Sequence, residues 1–532
     1  MSRDLIFCDE TKQFRIPEEP EAGMPYTLRL RTARGGARRV HVLTGDTCVP
    51  MQHEQTAGIY DYYTCAMAGA VRPVAYVFEI EDEEGLIYYG KTGPAAEREQ
   101  AVSFRMLPGF HVPAWAKGAV FYQIFPDRFR NGDASNDVRS GEYIYVDGQS
   151  SRRVSNWHEP IEPLDVHRFY GGDLQGIIDR LDDLAALGID ALYLNPVFVS
   201  PSNHKYDSQD YEHVDPHYGR IVEDTEDLSP LPGTDGVTHC YALRTSAEAN
   251  LTASDALLAE LIRRAHEKNM RVVLDGVFNH CGSFHRWMDK SGLYRAMRRQ
   301  DGAAAAGGAC SKYRSFFRFR TEDEYECWWN HETLPKLNID ESESLRASLF
   351  DVGERWVSPP FGADGWRLDV AADVGSTPEA NHAFWRDFRS HVRDANPEAF
   401  VFAEHYGDPS AWLCGDEWDS VMNYDAFMEP VSWFLTGMEK HGDAYDESLH
   451  GDGRAFFAMM RQAMSRLPVQ ALHSALNQLD NHDHSRFITR TNGQVGRLAT
   501  AGAPAASAGI SLALYRIAVL MQMTWPGNPG LY

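Results

Sequence analysis

A strand-then-helix pattern that repeats from about residue 117 onward constrains the fold more than any other feature of the sequence. Short apolar segments rich in β-branched residues alternate with amphipathic helical stretches such as 174–188 and 255–269. Eight strands alternating with helices over roughly 400 residues predict a (β/α)8 barrel, although the count also allows a doubly wound open sheet. The predicted strands are 118–126, 188–196, 270–277, 363–370, 399–404, 418–424, 472–480 and 517–526.

The first part of the chain has a different sequence pattern. Segments 26–32 and 74–80 alternate apolar and polar side chains, turn residues separate them, and no long helical pattern appears. We therefore predict an N-terminal β-sandwich over residues 1–112. A proline-containing linker over 107–115 leads into the barrel, which we place at 113–532.

The spacing between the predicted strands is uneven. About 85 residues separate the third and fourth strands, enough for an inserted subdomain on the barrel rim, which we place at 281–345. Segment 490–509 is low in complexity and is predicted to be a mobile loop. The sequence stops at "WPGNPGLY", just after the predicted eighth strand, so the final barrel helix is expected to be missing and the chain to be a fragment.

Composition excludes several functional classes. The formal charge of −25, from 51 basic and 76 acidic side chains, argues against nucleic-acid binding, which needs a concentrated basic face. The N-terminus has no apolar region of signal-peptide length, and no run long enough to span a membrane occurs, which favours a cytoplasmic protein without membrane contact. The eight cysteines are scattered without a CxxC pair, so neither a zinc site nor a disulfide framework is predicted.

The stretch "GWRLDV" (365–370) raises a functional question. As a strand it places Arg367 and Asp369 on one side, opposite Trp366, Leu368 and Val370. This pair alone is equally consistent with a structural ion pair, yet such pairs contribute ~0–1 kcal/mol at surfaces and often nothing net when buried. Stability is therefore a weak reason for the arrangement.

Other predicted strands also end in charged or polar side chains. The active sites of (β/α)8 barrels lie at the carboxyl ends of the strands. Several carboxylates and imidazoles with an Arg suit retaining glycoside hydrolysis, which needs a nucleophile and an acid/base about 5–5.5 Å apart. Arg367 would keep Asp369 ionised, and Glu404, after the apolar run "AFVFA", would stay protonated. The strand-end residues are Asp275, Asn279, His280, Arg367, Asp369, Glu404, His405, Asn481, His482 and Asp483.

Four motifs in order resemble the signatures of the α-amylase family of glycoside hydrolases: "LDGVFNH" (274–280), "GWRLDV" (365–370), "VFAEH" (401–405) and "LDNHD" (479–483). The resemblance covers nearly all of residues 115–532. It implies Asp369 as nucleophile, Glu404 as general acid/base and Asp483 as transition-state stabiliser. It further implies that the sugar is bound by Arg367, His280, His482, His405, the ring of Tyr206, and the neighbouring His204 and Asp207.

Two features bear on the subfamily. "LPKLN" (334–338) resembles the fifth signature of neopullulanases, cyclomaltodextrinases and maltodextrin glucosidases, whose N-terminal β-sandwich often forms a homodimer. "EHYGDPSAWL" (404–413) instead lacks the Trp that neopullulanases place after the acid, and looks more like maltodextrin glucosidases. The family usually adds a C-terminal β-domain, which we expect to be missing from this sequence.

We therefore predict a retaining hydrolase of α-1,4 bonds in short maltodextrins, with a neopullulanase or cyclomaltodextrinase acting on pullulan and cyclodextrins as the alternative. A primary transferase, or a non-catalytic glucan-binding homologue, is also open. The second is disfavoured because Asp369, Glu404 and Asp483 are all kept. The histidines lack HxH or HExxH spacing, which argues against a metal-dependent hydrolase.

A structural calcium ion is a further possibility. The loop "RFRNGDASND" (128–137) gathers Asn131, Asp133, Asn136 and Asp137, and hard oxygen ligands packed this closely suit Ca²⁺. On spacing alone an ordinary polar turn explains the loop as well. Related barrel enzymes bind calcium through a matching loop and a later Gly-Gly-Asp, here with Gly171 and Asp173, so the resemblance implies Ca²⁺ at these six residues.

Overall fold

The computed structural model describes residues 2–145, 148–162, 165–297, 302–304, 310–496 and 503–532. Its N-terminal part is a sandwich of two antiparallel sheets, and both segments predicted there are strands. Burial alternates along Tyr26–Ala33, as expected for a sheet with one face on the core. The first sheet runs in the order Arg15–Ile16, Tyr26–Ala33, Tyr60–Met67, Gln52–Ala57; the second runs Thr47–Pro50, Arg39–Thr44, Val74–Glu81, Leu86–Gly90, Gly93–Ala95, with Phe104–Met106 also pairing with Val74–Glu81.

The rest of the chain is a barrel of eight parallel strands, here numbered β1–β8 in chain order. They neighbour one another as 6-5-4-3-2-1-8-7, and a parallel bridge between Met422 and Leu476 joins β6 to β7 and closes the ring. The (β/α)8 prediction is confirmed, and the open sheet is excluded. The strands are β1 Phe121–Ile124, β2 Ala191–Leu194, β3 Arg271–Gly276, β4 Gly365–Leu368, β5 Phe400–Ala403, β6 Ser420–Val421, β7 Leu476–Gln478 and β8 Asn528–Leu531.

Helices surround the barrel and cover the outward-facing side chains of its strands. Trp366 and Leu368 of β4 pack outward into the large core between strands and helices. Tyr193 and Phe402 belong to a second cluster that fills the barrel interior. The helices are Leu174–Ile178, Leu181–Leu187, His239–Ser246, Glu248–Glu267, Leu293–Ala296, Glu343–Val357, Pro378–Ala395, Glu429–Thr436, Gly453–Met464, Val469–His473, Phe487–Arg490, Ala503–Ser507 and Leu512–Thr524, with one π-helical turn at Tyr424–Met428.

The predicted eighth strand is wrong. Residues 517–526 fall mostly in the helix Leu512–Thr524, and the strand is the following Asn528–Leu531. A continuous apolar run does not distinguish a strand from a helix, and Ser511 caps this helix by accepting from the Leu514 amide. Gly530 is required in the strand because a Cβ there would lie 2.7 Å from Gln478 Cγ.

Two long segments follow barrel strands in the chain, 281–345 after β3 and 490–509 after β7. The predicted insertion 281–345 forms irregular loops tied by single bridges, such as Cys327 with Pro335 and Phe317 with Leu337. Within it, 298–301 and 305–309 lie outside the described residues. The predicted mobile loop 490–509 also falls partly outside them, at 497–502, and contains the short helix Ala503–Ser507.

Among the described residues, none of the helices combines the length and the apolar character needed to cross a lipid bilayer.

Candidate active site

The carboxyl ends of three neighbouring strands deliver charged side chains to one point. Asp275 lies near the end of β3, Arg367 on β4 and Glu404 directly after β5. Asp369 follows β4, where its amide donates to the Gly276 carbonyl at 2.9 Å. The parallel register aligns Asp275 with Arg367. The barrel thus converts residues far apart in sequence into one cluster.

The Arg367 guanidinium is the centre of this cluster. Its Nη1 donates to Asp275 Oδ1 at 2.9 Å and to Asp369 Oδ1 at 2.8 Å. Its Nη2 lies 2.9 Å from Glu404 Oε2. The guanidinium is fully buried, and the carboxylates are almost so. The strand that carries Arg367 and Asp369 therefore joins three acids, which a pairwise structural ion pair does not explain.

One cation facing three carboxylates leaves the cluster short of positive charge. Burial raises the pKa of Asp369 well above its usual range; Arg367 opposes this, while the charges of Glu404, Asp275 and Asp483 raise it further. The prediction that Arg367 simply keeps Asp369 ionised was therefore incomplete. Arg367 is therefore needed to hold Asp369 in the ionised form that a nucleophile requires, against burial and the neighbouring acids.

Val370 adds a fixed hydrogen bond to the cluster. Its backbone is left-handed, with φ 37° and ψ 46°, and its amide donates to Glu404 Oε2 at 3.0 Å. For a β-branched residue this conformation costs about 1–3 kcal/mol, and such strain is typical of functional sites. The strained turn after Asp369 thereby ties the position of Glu404 to that of Asp369.

Tyr206 forms an aromatic wall beside the carboxylates. Its hydroxyl donates to Asp275 Oδ2 at 2.9 Å and lies 2.8 Å from His482 Nε2. Gln123 donates to His482 Nδ1 at 2.8 Å, which leaves the imidazole proton on Nε2, directed at the Tyr206 oxygen. The two rings are parallel with centroids 5.4 Å apart, and the His204 ring is also stacked with Tyr206, at 5.9 Å.

The imidazoles at this site are neutral. Burial lowers the pKa of His482 to about 4 and that of His280 to about 3, and it also lowers the pKa of His204. Nε2 of His280 is buried and has no hydrogen-bond partner among the described residues. A neutral imidazole with an unpaired nitrogen suits binding of an uncharged hydroxyl rather than of an anion.

The other predicted site residues are placed differently. Asp483 keeps 45% of its side chain exposed beside His482, on the open side of the cluster. His405 packs against Trp412 and Trp418, away from the carboxylates. Asp207 is fully buried and accepts hydrogen bonds from Tyr145, Ser200 and Ser202, so it is not among the side chains that converge.

A buried chain of charges supports the loop that carries Tyr206. Lys205, which has φ +61°, bonds Asp215 at 2.6 Å. Asp215 contacts His217, His217 contacts Glu142, and Glu142 contacts Arg244, each at 2.8–2.9 Å. These five side chains alternate in sign and are nearly inaccessible to solvent. The anchored left-handed turn at Lys205 lets His204 and Tyr206 stack together.

Asp275 and Tyr193 complete the cluster: Asp275 was predicted as a strand-end residue without a catalytic role, and Tyr193 was not predicted. Tyr193 donates to Asp275 Oδ2 at 2.7 Å from inside the barrel. Asp275 stands in the first motif and was selected from its strand-end position alone. Tyr193 reads as ordinary core in the apolar run of β2, and no sequence signal marks it.

The predicted calcium residues lie together near the start of the helix Leu174–Ile178. Asn131 donates to Asp137 at 2.6 Å, and Asn136 Oδ1 is buried with no hydrogen-bond partner among the described residues. A Cβ on Gly171 would lie 2.3 Å from Asp137 Oδ1, so the backbone approaches closely there. The oxygen-rich set with an orphaned amide oxygen fits a hard cation.

The contacts of Asp173 and Asp137 show how these side chains are engaged in the protein alone. Asp173 caps the helix by accepting from the Gly176 amide at 2.6 Å and also accepts from the Asp133 amide at 2.8 Å. Arg153 pairs with Asp137, whose pKa burial raises to about 6. Across the described part of the chain, no three His, Cys, Asp or Glu side chains are grouped to hold a metal, so amide and carbonyl oxygens would be needed.

Comparison with known families matches both parts of the chain. Residues 123–231 and 253–532 match the family model of the α-amylase catalytic domain. Residues 22–111 match that of the α-amylase N-terminal Ig-like domain. Together they span the barrel with its four motifs and the sandwich.

Individual relatives indicate which members of the family this chain resembles. The chain is 34% identical over 530 residues to Neopullulanase 2 from Thermoactinomyces vulgaris, covering 95% of this chain and 73% of that protein. It is 30% identical to a cyclomaltodextrinase from a Bacillus species, covering 96% and 78%. A solved cyclomaltodextrinase structure matches with TM-score 0.62 and 28% identity, covering all of this chain and 78% of that one.

Proposed function

The chain belongs to the α-amylase family of glycoside hydrolases, and from this premise we propose that it hydrolyses α-1,4-glucosidic bonds in cyclodextrins, pullulan and short maltodextrins by double displacement. One observation carries the proposal: a single buried guanidinium holds the two carboxylates that such a reaction needs, Asp369 at 2.8 Å and Glu404 at 2.9 Å. Asp483 is exposed beside them, where a substrate can reach it.

In the first half of the reaction, ionised Asp369 attacks the anomeric carbon as the bond to the leaving oxygen breaks. Glu404 gives its proton to that oxygen, so the leaving sugar departs neutral. In the second half, Glu404 takes a proton from water, and the oxygen of that water displaces Asp369 from the sugar. Two inversions restore the α configuration, and the carboxyls return to their starting protonation.

The surrounding groups bind the sugar and stabilise the charge that develops on it. Asp483 faces the positive charge of the oxocarbenium-like transition state. The Tyr206 ring supplies an apolar face. Nε2 of His280, which is unpaired among the described residues, can hydrogen-bond a sugar hydroxyl, while Nε2 of His482 is engaged by the Tyr206 hydroxyl. Neutral imidazoles suit hydroxyl groups and add no charge to the cluster.

The names of the relatives favour neopullulanase or cyclomaltodextrinase activity over the maltodextrin glucosidase activity predicted from the sequence. Two relatives that match 95% and 96% of this chain carry the names Neopullulanase 2 and cyclomaltodextrinase. Maltodextrin glucosidase action remains the second candidate because of Tyr406, which stacks on Tyr424 at 4.6 Å and is 44% exposed where neopullulanases usually have Trp.

Product analysis separates the two candidates. We expect the wild type to open γ-cyclodextrin and to release panose from pullulan, and the inactive Asp369→Asn variant, assayed in parallel, to do neither. Glucose from maltotriose with little action on pullulan would instead favour the maltodextrin glucosidase. If none of the three substrates were cleaved, the proposed function would fail and a glucan-binding role would replace it.

We also propose that Asn131, Asp133, Asn136, Asp137, Gly171 and Asp173 hold a structural Ca²⁺. The support is the oxygen-only cluster, the orphaned Asn136 oxygen and the close approach of the Gly171 backbone. The cation would neutralise Asp137, displace Arg153 from it and tie the loop to the helix that Asp173 caps. Protons would compete for Asp137 below about pH 6, where its pKa lies.

Calcium should raise the Tm of an EDTA-treated sample. Binding at 100 times Kd adds ~2.7 kcal/mol to the free energy of unfolding. Differential scanning calorimetry at pH 7.5 measures the shift, and Asp137→Asn should abolish most of it. An unchanged Tm at millimolar calcium would contradict the site, as would an equal shift in the Asp137→Asn variant.

Two further assignments remain proposals. A cytoplasmic location is supported by a relative from Bacillus subtilis (strain 168) named intracellular maltogenic amylase, 29% identical over 88% of this chain. A homodimer formed through residues 1–112 rests on the resemblance of the sandwich alone.

A further inference from the structure

A thioether sulfur contacts the guanidinium that holds the two reacting carboxylates. The Nη atoms of Arg367 face the three acids of the cluster. Its third nitrogen, Nε, donates instead to Met422 Sδ at 3.4 Å. Arg367 is fully buried and Met422 is 1% exposed, so this contact is shielded from solvent. The sulfur is thus a neutral partner of a cation that otherwise faces acids.

The same sulfur accepts a second hydrogen bond. The Tyr424 hydroxyl donates to Met422 Sδ at 3.4 Å, and Asn481 Nδ2 donates to the Tyr424 hydroxyl oxygen at 3.1 Å. Asn481 Oδ1 in turn accepts from the Asp483 amide at 3.0 Å. Tyr424 and Asn481 are both buried. A continuous series of contacts therefore runs from Arg367, through the sulfur, to the turn that carries Asp483.

The barrel fixes the backbone of Met422. This residue directly follows β6, and its amide donates to the Ala403 carbonyl of β5 at 2.9 Å. On its other side it forms the bridge with Leu476 that closes the barrel. The Tyr424 amide donates to the Met422 carbonyl at 2.9 Å. The strands on either side therefore set where the sulfur lies.

The chemistry of a thioether suits this position. Methionine often fills gaps in cores, which would explain an apolar side chain here but not a sulfur within 3.4 Å of two separate donors. A leucine would fill the same space and leave both buried donors without this acceptor, which is costly. A fourth carboxylate would share the guanidinium charge with the acids already there. A neutral acceptor satisfies Nε without competing for that charge.

We propose that Met422 is a positioning residue for the double displacement, because its sulfur holds Arg367 and the Tyr424–Asn481 pair in one fixed arrangement. Arg367 carries Asp369 and Glu404, while Asn481 carries the turn of Asp483, so the sulfur aligns the three carboxylates with one another. This rests on the proposed function, since their alignment matters only if they act on one sugar. Small misplacements of reacting groups lower the rate of the chemical step more than they lower binding.

The kinetic test compares three variants of Met422 with wild type on γ-cyclodextrin. Met422→Leu should lower kcat about tenfold with little change in KM, the effect of one lost hydrogen bond to a charged group. Met422→Gln should recover most of kcat, because its amide oxygen is a neutral acceptor. Met422→Glu should move the acid limb of the pH profile to higher pH, because a fourth carboxylate opposes ionisation of Asp369.

Met428→Leu is the matched control. Met428 is a buried methionine of the same interior cluster, and its side chain is not part of the series of contacts through the sulfur. It should retain the kcat and the pH profile of wild type even where its Tm falls as far as that of Met422→Leu. A normal kcat in Met422→Leu, or an equal loss of kcat in Met428→Leu, would overturn the role of the sulfur.

A second measurement does not depend on activity. In protein labelled with ¹⁵N-arginine, the Nε–H signal of Arg367 is identified as the one lost in Arg367→Lys. Its hydrogen exchange with water should be slow in wild type and in Met428→Leu, and faster in Met422→Leu. If wild type cleaved no substrate, the proposed function would fail while this result still reported the sulfur contact. Exchange that is equally slow in Met422→Leu would contradict the inference whatever the activity.

Discussion

Asp369→Ala should lower kcat on γ-cyclodextrin by at least about 10⁴-fold, because no other group can form the covalent bond to the sugar. Added azide should restore turnover of an activated α-maltosyl substrate and give the β-glycosyl azide, since one displacement inverts the anomeric centre. Nuclear magnetic resonance of the product identifies its configuration. Circular dichroism checks that the variant is folded.

Two controls make this result specific. Glu404→Ala with azide should give the α-glycosyl azide, because both displacements still occur. It should also lose least on substrates whose leaving group needs no proton. Asp408→Asn, which changes an exposed carboxylate on the neighbouring loop, should behave like wild type. An α-azide from Asp369→Ala, or near-normal kcat, would show that Asp369 is not the nucleophile.

Arg367→Met should lower kcat/KM by about 10²–10³-fold and move the acid limb of its pH profile to higher pH. The sign follows from charge: the guanidinium lowers the pKa of Asp369, so its loss raises that pKa. Asp369 then becomes ionised only at higher pH. Initial rates between pH 4 and 9 measure the shift.

Arg367→Lys is the matched control, because it keeps the positive charge but not the planar fork that reaches Asp275, Asp369 and Glu404 together. It should leave the acid limb near that of wild type while still losing activity. Both variants should also lower the Tm, since a buried charged cluster loses its shared partner. An acid limb that stays in place in Arg367→Met would mean that Arg367 does not control the ionisation of Asp369.

The sequence was sufficient to predict most of the fold because the strand and helix patterns repeat many times along the chain. Seven of the predicted barrel strands contain the observed ones, and the sandwich strands at 26–32 and 74–80 were correct. The eighth strand failed for a local reason: an apolar run without period is ambiguous, and "GNPGL" lacks strand propensity. Its pairing with β1 and with β7, where Gly530 packs on Gln478, selects it.

The sequence predicted which residues form the site but not which contacts they make with one another. Position after a strand selected Asp369, Glu404 and Asp483, because the fold brings all carboxyl strand ends to one rim. That Arg367 serves three acids depends on barrel register, which sets Asp275 beside it. Asp207 shows the converse, since its place next to Tyr206 in sequence says nothing about the inward turn of its side chain.

The most direct measurement of the central claim is to trap the covalent intermediate. The wild type would be incubated with a 5-fluoro-α-glucosyl fluoride, digested, and its peptides analysed by mass spectrometry. The account predicts one equivalent of the fluorosugar, attached to Asp369, and slow recovery of activity as it is released. A label on Glu404 or Asp483, or steady turnover without any trapped adduct while cleavage inverts the anomeric centre, would contradict it.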